Sequence, residues 1–290
     1  MLKETEGVPL KRSLLFLLLA AFLLSLFGCA KPQRYREGGV PADSSTETTA
    51  DPTVRVTFPE GLTAVEIAEK LEANGVCSAA EFMAAVNDLA AVRESYACLS
   101  SLDRPEDRAF ALEGYVFPDT YDFYSGESAT RALSRFLTNM DRKWTDAMTE
   151  RAAALGYTPD DILTIASIIQ EEAGDPNEMG KVSSVLHNRL NSPDYGKLQC
   201  DVTIHYVNDR VTDSPYLTGD TARFAELYNT YKCDGLPAGP ICCPGMDAIN
   251  AALYPEETEY FFFVTDADMN YYYAATWAEH QENCRICGIG

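Results

Sequence analysis

Two carboxylates stand side by side at the end of an apolar run: Glu171 and Glu172, in DILTIASIIQEEA (Asp161 to Ala173). Isoleucine, leucine and alanine recur there at helical spacing, so the run reads as an amphipathic helix. With roughly 100° per residue counted from Ile162, the apolar stripe centres near 350°, Glu171 falls near 180° and Glu172 near 280°. Glu171 is therefore expected on the wet face. Glu172 is expected on the flank of the stripe, beside Ile165, Ile168 and Ile169. A carboxyl held against apolar side chains has its charged form disfavoured, and its pKa rises. A glutamate that keeps its proton near neutral pH is what a general acid requires. The competing use of such a position is structural, a boundary glutamate paired with a Lys or Arg. Periodicity alone does not choose between them.

The other reactive side chains form no comparable pattern. Nine cysteines occur, at 29, 77, 98, 200, 233, 242, 243, 284 and 287. Cys284 and Cys287 make a single CxxC, and His187, His205 and His280 are scattered. A zinc site needs more ligands at recognisable spacing, so no metal is expected. Setting Cys29 aside leaves an even number of thiols, among which Cys77 and Cys98 are a local candidate disulfide. There is no Gly-rich phosphate loop and no feature that implies a cofactor.

The elements that must position these groups begin with VRVTF (Val54 to Phe58), whose alternation suits a short strand. Thr63 with Glu66 has the spacing of a capping box ahead of a helix from Ala64 to Asn74, and Ser78 caps a second helix. Together they read as a small β-α-α subdomain over 54–100. A catalytic domain over 101–290 follows. It contains a long helix expected from about Ala129 to Leu155, the acid-bearing helix from Pro159 to about Ala173, and a third from Met179 to Leu190. Beyond Leu198 the chain reads as turn-rich. A short helix (Met246 to Leu253) then precedes the strand Tyr260 to Val264, which pairs with Tyr271 to Ala274. No β-α-β alternation is present. The fold class is α+β, a helical catalytic core with small β-sheets.

The N-terminus carries an address. Lys11 and Arg12 precede 14 residues, Leu14 to Phe27, that are apolar apart from Ser25. About 20 residues are needed to span a bilayer, so the run has the length of a signal-peptide core. It ends in Leu26-Phe27-Gly28-Cys29, which resembles a lipoprotein cleavage box. Residues 1–28 are read as a lipoprotein-type signal peptide with Cys29 lipidated, the alternative being an uncleaved short anchor. Residues 29–53, rich in Pro, Ser, Thr and charge, read as a disordered tether. Both alternatives place the body of the chain outside the cytoplasm, anchored to the membrane. The 23 Lys+Arg against 44 Asp+Glu give a net charge of −21, which argues against nucleic acid as a partner.

Five blocks in order resemble the MltG/YceG-like endolytic murein transglycosylases. They are LEGYVFPDTYDF (112–123), ASIIQEEAGDPNEMGKVSSVLHNRL (166–190), LQCDVTIHY (198–206), YNTYKCDGLPAGPICCPG (228–245) and FFVTDADMNYYYAATWAEH (262–280). The resemblance implies cleavage of peptidoglycan glycan strands at the MurNAc–GlcNAc β-1,4 bond, with 1,6-anhydro-MurNAc ends. It puts the catalytic acid at the second position of the family's E-x-E pattern, which is Glu172; the first position is Gln170 here, a departure. Asp201 falls in the family's LQ-x-D block, which implies a structural or substrate-orienting part. A sugar polymer offers hydroxyls, amides and flat apolar faces, so Gln199, Tyr228, Asn229 and Tyr231 are the expected groove residues. Glu113 and Asp119 are expected to hold the fold; Asn188 and Arg189 sit on the neighbouring helix, Arg189 with a structural salt bridge or cap as its expected use. The anchor, or partners such as peptidoglycan synthases, would place the enzyme. The alternative from another class is a noncatalytic peptidoglycan-binding or scaffold lipoprotein.

Overall fold

The computed structural model describes residues 52–289. The signal peptide, Cys29 and nearly all of the tether lie outside the described residues. Strand β1 (Thr53–Thr57) begins the description, one residue inside the segment read as tether. It pairs antiparallel with β2 (Thr120–Tyr124), Val54 opposite Phe123 and Val56 opposite Tyr121. This ribbon joins residues on either side of the boundary drawn at 100. The inward residues of the ribbon are aromatic or β-branched, and they meet helix α3 (Ala129–Lys143). The ring of Phe136 lies 4.5 Å from Tyr121 and 5.1 Å from Phe58. Helix α1 (Ala64–Ala73) starts at the Thr63/Glu66 capping box, and α2 (Ala79–Asn87) at Ser78.

The helix expected over 129–155 is two helices. The backbone of Trp144 turns extended, and Thr145 caps α4 (Asp146–Leu155) by accepting from the Met148 amide. A Thr-Asp pair is a strong helix start, and it wins over continued periodicity. Helix α5 (Pro159–Glu172) carries the adjacent acids and opens on a Thr158/Asp161 capping box. Asp160 is buried, accepting from Arg108 and from the Tyr115 hydroxyl. Every residue from Ile162 to Ile169 is buried, Thr164 and Ser167 included. The helix is therefore covered on all sides rather than along one stripe. The Ser167 hydroxyl donates to the Thr164 carbonyl and accepts the Ile241 amide, which satisfies it.

Helix α6 (Met179–Leu190) packs on α5 and, through Ser183 and His187, donates to the carbonyls of Ala251 and Ala252 in the helix Met246–Leu253. The region read as turn-rich holds α7 (Asp201–His205), a π-helical segment (Tyr206–Val211) and α8 (Thr221–Leu227). Helix α9 is Met246–Leu253, the nearest neighbour of α5. Strands β3 (Phe262–Thr265) and β4 (Tyr271–Ala274) form a second antiparallel ribbon. A final helix, α10 (Trp277–Cys287), begins at a Thr276/Glu279 capping box and packs on both strands. The architecture is α+β. The eight cysteines among the described residues are free thiols, so the Cys77–Cys98 disulfide is not formed. None of the described helices is long and apolar enough to cross a membrane.

Candidate active site

Helix α5 is rigid because it is buried, and its last turn emerges at the wall of a cavity of about 460 Å³. Glu172 lines that cavity and is half-buried; Glu171, one residue earlier, is exposed and lines a different, smaller cavity. The end of the helix is held from the second ribbon. The Tyr271 hydroxyl accepts the Gly174 amide at 2.9 Å and donates to the Glu172 carbonyl at 3.3 Å. Gln170 is also accounted for: its Oε1 accepts the Gly245 amide at 3.0 Å, tying α5 to the Pro-Gly turn ahead of α9.

Burial, and next the negative charge of Asp201, push the Glu172 carboxyl up to about 7, with the Cys200 thiol pulling the other way by hydrogen bonding. Glu171 is also raised, chiefly because its carboxyl is partly withdrawn from water although the residue as a whole is exposed. Asp201 begins α7 and accepts from the Tyr231 hydroxyl at 2.8 Å. That contact, after burial, pushes Tyr231 up to about 12. Tyr231 is 44% exposed and lines the cavity, as do Gln199 and Asp201.

Gln199 has a left-handed backbone, φ 56°, rare for a side chain of this kind and affordable only where the surroundings enforce it. Its amide donates to the Thr230 carbonyl at 3.1 Å, and the next amide, of Cys200, donates to the Thr230 hydroxyl at 2.9 Å. Its side-chain Oε1 accepts from Arg189. Arginine only donates, so this contact fixes the side-chain amide: the oxygen faces Arg189 and the NH2 group is left as a donor for the cavity.

Arg189 is buried, and of the two structural uses expected of it, a salt bridge or a cap, the salt bridge is not among the contacts of the described residues. It donates instead to the carbonyls of Lys197 and Phe261, each at 3.0 Å, and to Gln199. It thus clamps three segments around the cavity. Asn188 donates to the Thr258 and Tyr260 carbonyls, a structural use. Glu113 is fully buried, accepting the Ala64 amide and the Tyr206 hydroxyl. Asp119 accepts from Asn139 at the ribbon end.

Two of the expected groove residues are elsewhere. Tyr228 is fully buried, its ring 5.2 Å from Tyr206. Asn229 builds the turn: its Oδ1 accepts the Tyr231 amide at 3.0 Å. In YNTY it is Thr230 and Tyr231 that contact Gln199, Cys200 and Asp201 at the cavity wall, whereas Tyr228 packs on Tyr206 in the core. Other cavity residues carried no expectation of a place in the groove. Phe261, Phe263, Trp277 and His280 also line it, the last two from α10. The His280 ring stacks on Phe262 at 5.1 Å, and Trp277 is 55% exposed, offering a flat face. The signal for α10 was present, as the Thr276/Glu279 pair. No group of His, Cys, Asp and Glu among the described residues could hold a metal ion.

A buried helix ending in a glutamate whose pKa is raised, beside an amide donor and an aromatic wall, is an arrangement chemically able to supply a proton to a bound substrate. The sequence profile of the YceG-like family matches residues 38–286, and the chain belongs to that family. It is 31% identical over 171 residues to an endolytic murein transglycosylase of Bacillus subtilis strain 168, an alignment covering 59% of this chain and 46% of that one. It is 28% identical over 242 residues to the endolytic murein transglycosylase of Streptococcus pneumoniae D39, covering 79% and 43%. The chain spans about half the length of these curated relatives. Among solved structures it is similar to a putative YceG-like protein from Listeria monocytogenes, with a TM-score of 0.65, 26% identity, and 79% and 74% of the two chains covered.

Proposed function

We propose that this protein is an endolytic peptidoglycan lytic transglycosylase that cuts nascent glycan strands at the MurNAc–GlcNAc β-1,4 bond. The observation that carries the reading is Glu172, raised to about 7 at the wall of the cavity that Gln199, Asp201 and Tyr231 also line. Protonated Glu172 gives its proton to the glycosidic oxygen as the C1–O bond breaks. Its carboxylate then takes the proton of the MurNAc C6 hydroxyl as O6 bonds to C1 and closes the 1,6-anhydro ring. No water is consumed, and the acid is regenerated. A hydrolase of the common kind uses two carboxyls on opposite sides of the bond. Here the other carboxylate, Asp201, already accepts from Tyr231, which suits orientation of the strand better than activation of water.

The relatives' names support the activity, and the YceG-like profile match supports the family context. Placement at the membrane, with the catalytic part outside the cytoplasm, rests on the N-terminal sequence and Cys29. Peptidoglycan synthases are the partners this placement suggests. The noncatalytic alternative drew in part on the Gln170 departure; the Gln170–Gly245 contact gives that residue a structural task. The test is product analysis on un-cross-linked strands with the wild type and Glu172→Gln. Anhydro ends from the wild type alone are expected. Reducing MurNAc ends, or cleavage by Glu172→Gln, would overturn the mechanism.

A further inference from the structure

Glu171 and Glu172 are consecutive, yet they line different cavities. The same division recurs at the start of α7, where Asp201 lines the larger cavity and Val202 the smaller. The end of α5 and the start of α7 therefore form one ridge with a cavity on either flank. The smaller holds about 220 Å³ and is lined by Thr63, Glu171, Val202, His205, Arg210 and Ile241, among others.

We propose that this smaller cavity is a second saccharide subsite, which holds the glycan strand on the far side of the bond that is cut. The inference rests on the proposed function. An enzyme that cuts inside a polymer must grip sugar on both sides of the bond, and the acid is at the ridge between the two cavities. The lining fits a neutral sugar: Val202 and Ile241 offer an apolar floor for a ring face. His205, Arg210 and Glu171 offer donors and acceptors for hydroxyl and acetamido groups. It does not fit an anion. The Arg210 guanidinium is already paired with Glu66 at 2.6 Å, and His205 faces Asp209 at 3.5 Å. With Glu171 added, the local balance is acidic. Phosphate or a peptide carboxylate would meet more repulsion than attraction.

The full chain would be made as Val202→Trp, which fills the cavity, and as Arg210→Ala, a surface change that leaves the apolar floor. Two readouts are needed. One is the ratio of kcat/KM on long un-cross-linked strands to that on a (GlcNAc–MurNAc)2 tetrasaccharide. The other is the strand Kd, measured on the Glu172→Gln background. The expected result is a ratio lowered about tenfold by Val202→Trp and about threefold by Arg210→Ala, the scale of one or two lost polar contacts, with Kd weakened in parallel. Unchanged ratio and Kd in both variants would overturn the subsite while leaving the catalytic reading intact. Strand binding that Val202→Trp weakens, in a wild type that makes no new chain ends, would sustain the subsite and overturn the catalytic reading. A wild type that neither binds nor cuts strands would overturn both.

Discussion

The protonation of Glu172 is the point at which the mechanism is most exposed to test. Its carboxyl is held at about 7, first by burial and second by the charge of Asp201. If the protonated form starts the reaction, about 90% of the enzyme is active at pH 6, about half at pH 7 and about 10% at pH 8. Strand cleavage should therefore fall along an alkaline limb centred near 7, approaching tenfold per unit above it. Asp201→Asn removes a like charge, which favours the ionised form of Glu172 and must lower that limb. Because burial is the larger cause, the limb should stop well above the 4.5 of an ordinary glutamate. A shift of about one unit is the scale of one neighbouring charge. At pH 8 that shift alone lowers the rate about tenfold, whereas at pH 5 it leaves the protonated fraction nearly unchanged. The assay is the pH profile of kcat and kcat/KM, from anhydro ends counted by mass spectrometry. A wild-type profile flat from 6 to 8, or a limb that Asp201→Asn moves upward, would refute the reasoning.

Other consequences concern the frame around the acid. Gln199→Glu should keep the fold, because a carboxylate pairs well with Arg189, but it loses the amide donor; kcat/KM should drop about tenfold with Tm held or raised. Retained activity would remove Gln199 from the groove. Glu113 is fully buried and raised to about 7, so its folded pKa lies above its unfolded value. Its stabilising share is complete below about 4.5 and is lost as pH rises to about 7. Tm should thus fall between pH 5 and 8, and Glu113→Gln should flatten that fall; an equally steep fall in the variant would contradict this. A Cβ on Gly114, at φ 85°, would lie 2.5 Å from the Pro240 ring carbons, whereas one on Gly245 would meet the movable carboxylate end of Glu60. Gly114→Ala should cost about 2–4 kcal/mol and Gly245→Ala under about 1 kcal/mol in chemical denaturation; equal costs would show that Pro240 gives way.

The division between what the sequence discloses and what it withholds follows the range of the forces involved. Caps are local, and those at Thr63 and Ser78 appear where the side-chain spacing puts them. So do the β3–β4 pairing and the helices Met179–Leu190 and Met246–Leu253. The local signals at Thr145 and Thr276 were equally good, and missing them joined α3 to α4 and hid α10. Other features are not local. The wheel places Glu172 at the edge of a stripe, but α5 is enclosed on all sides, so the exposure of its last turn is decided by where α7, α10 and the β3–β4 ribbon stop. Tyr228 and Tyr231 are three residues apart with the same side chain. One is buried against Tyr206 and the other reaches Asp201, and only tertiary packing separates them. Gln199 is the limiting case. Its type suggested sugar binding, but the direction of its amide is set by Arg189, on another helix, and its backbone by Thr230. A residue type can thus name the chemistry a group is capable of. The protonation, orientation and access that make the chemistry possible come from neighbours distant in the chain: Asp201 for Glu172, Arg189 for Gln199, and Tyr271 for the end of α5.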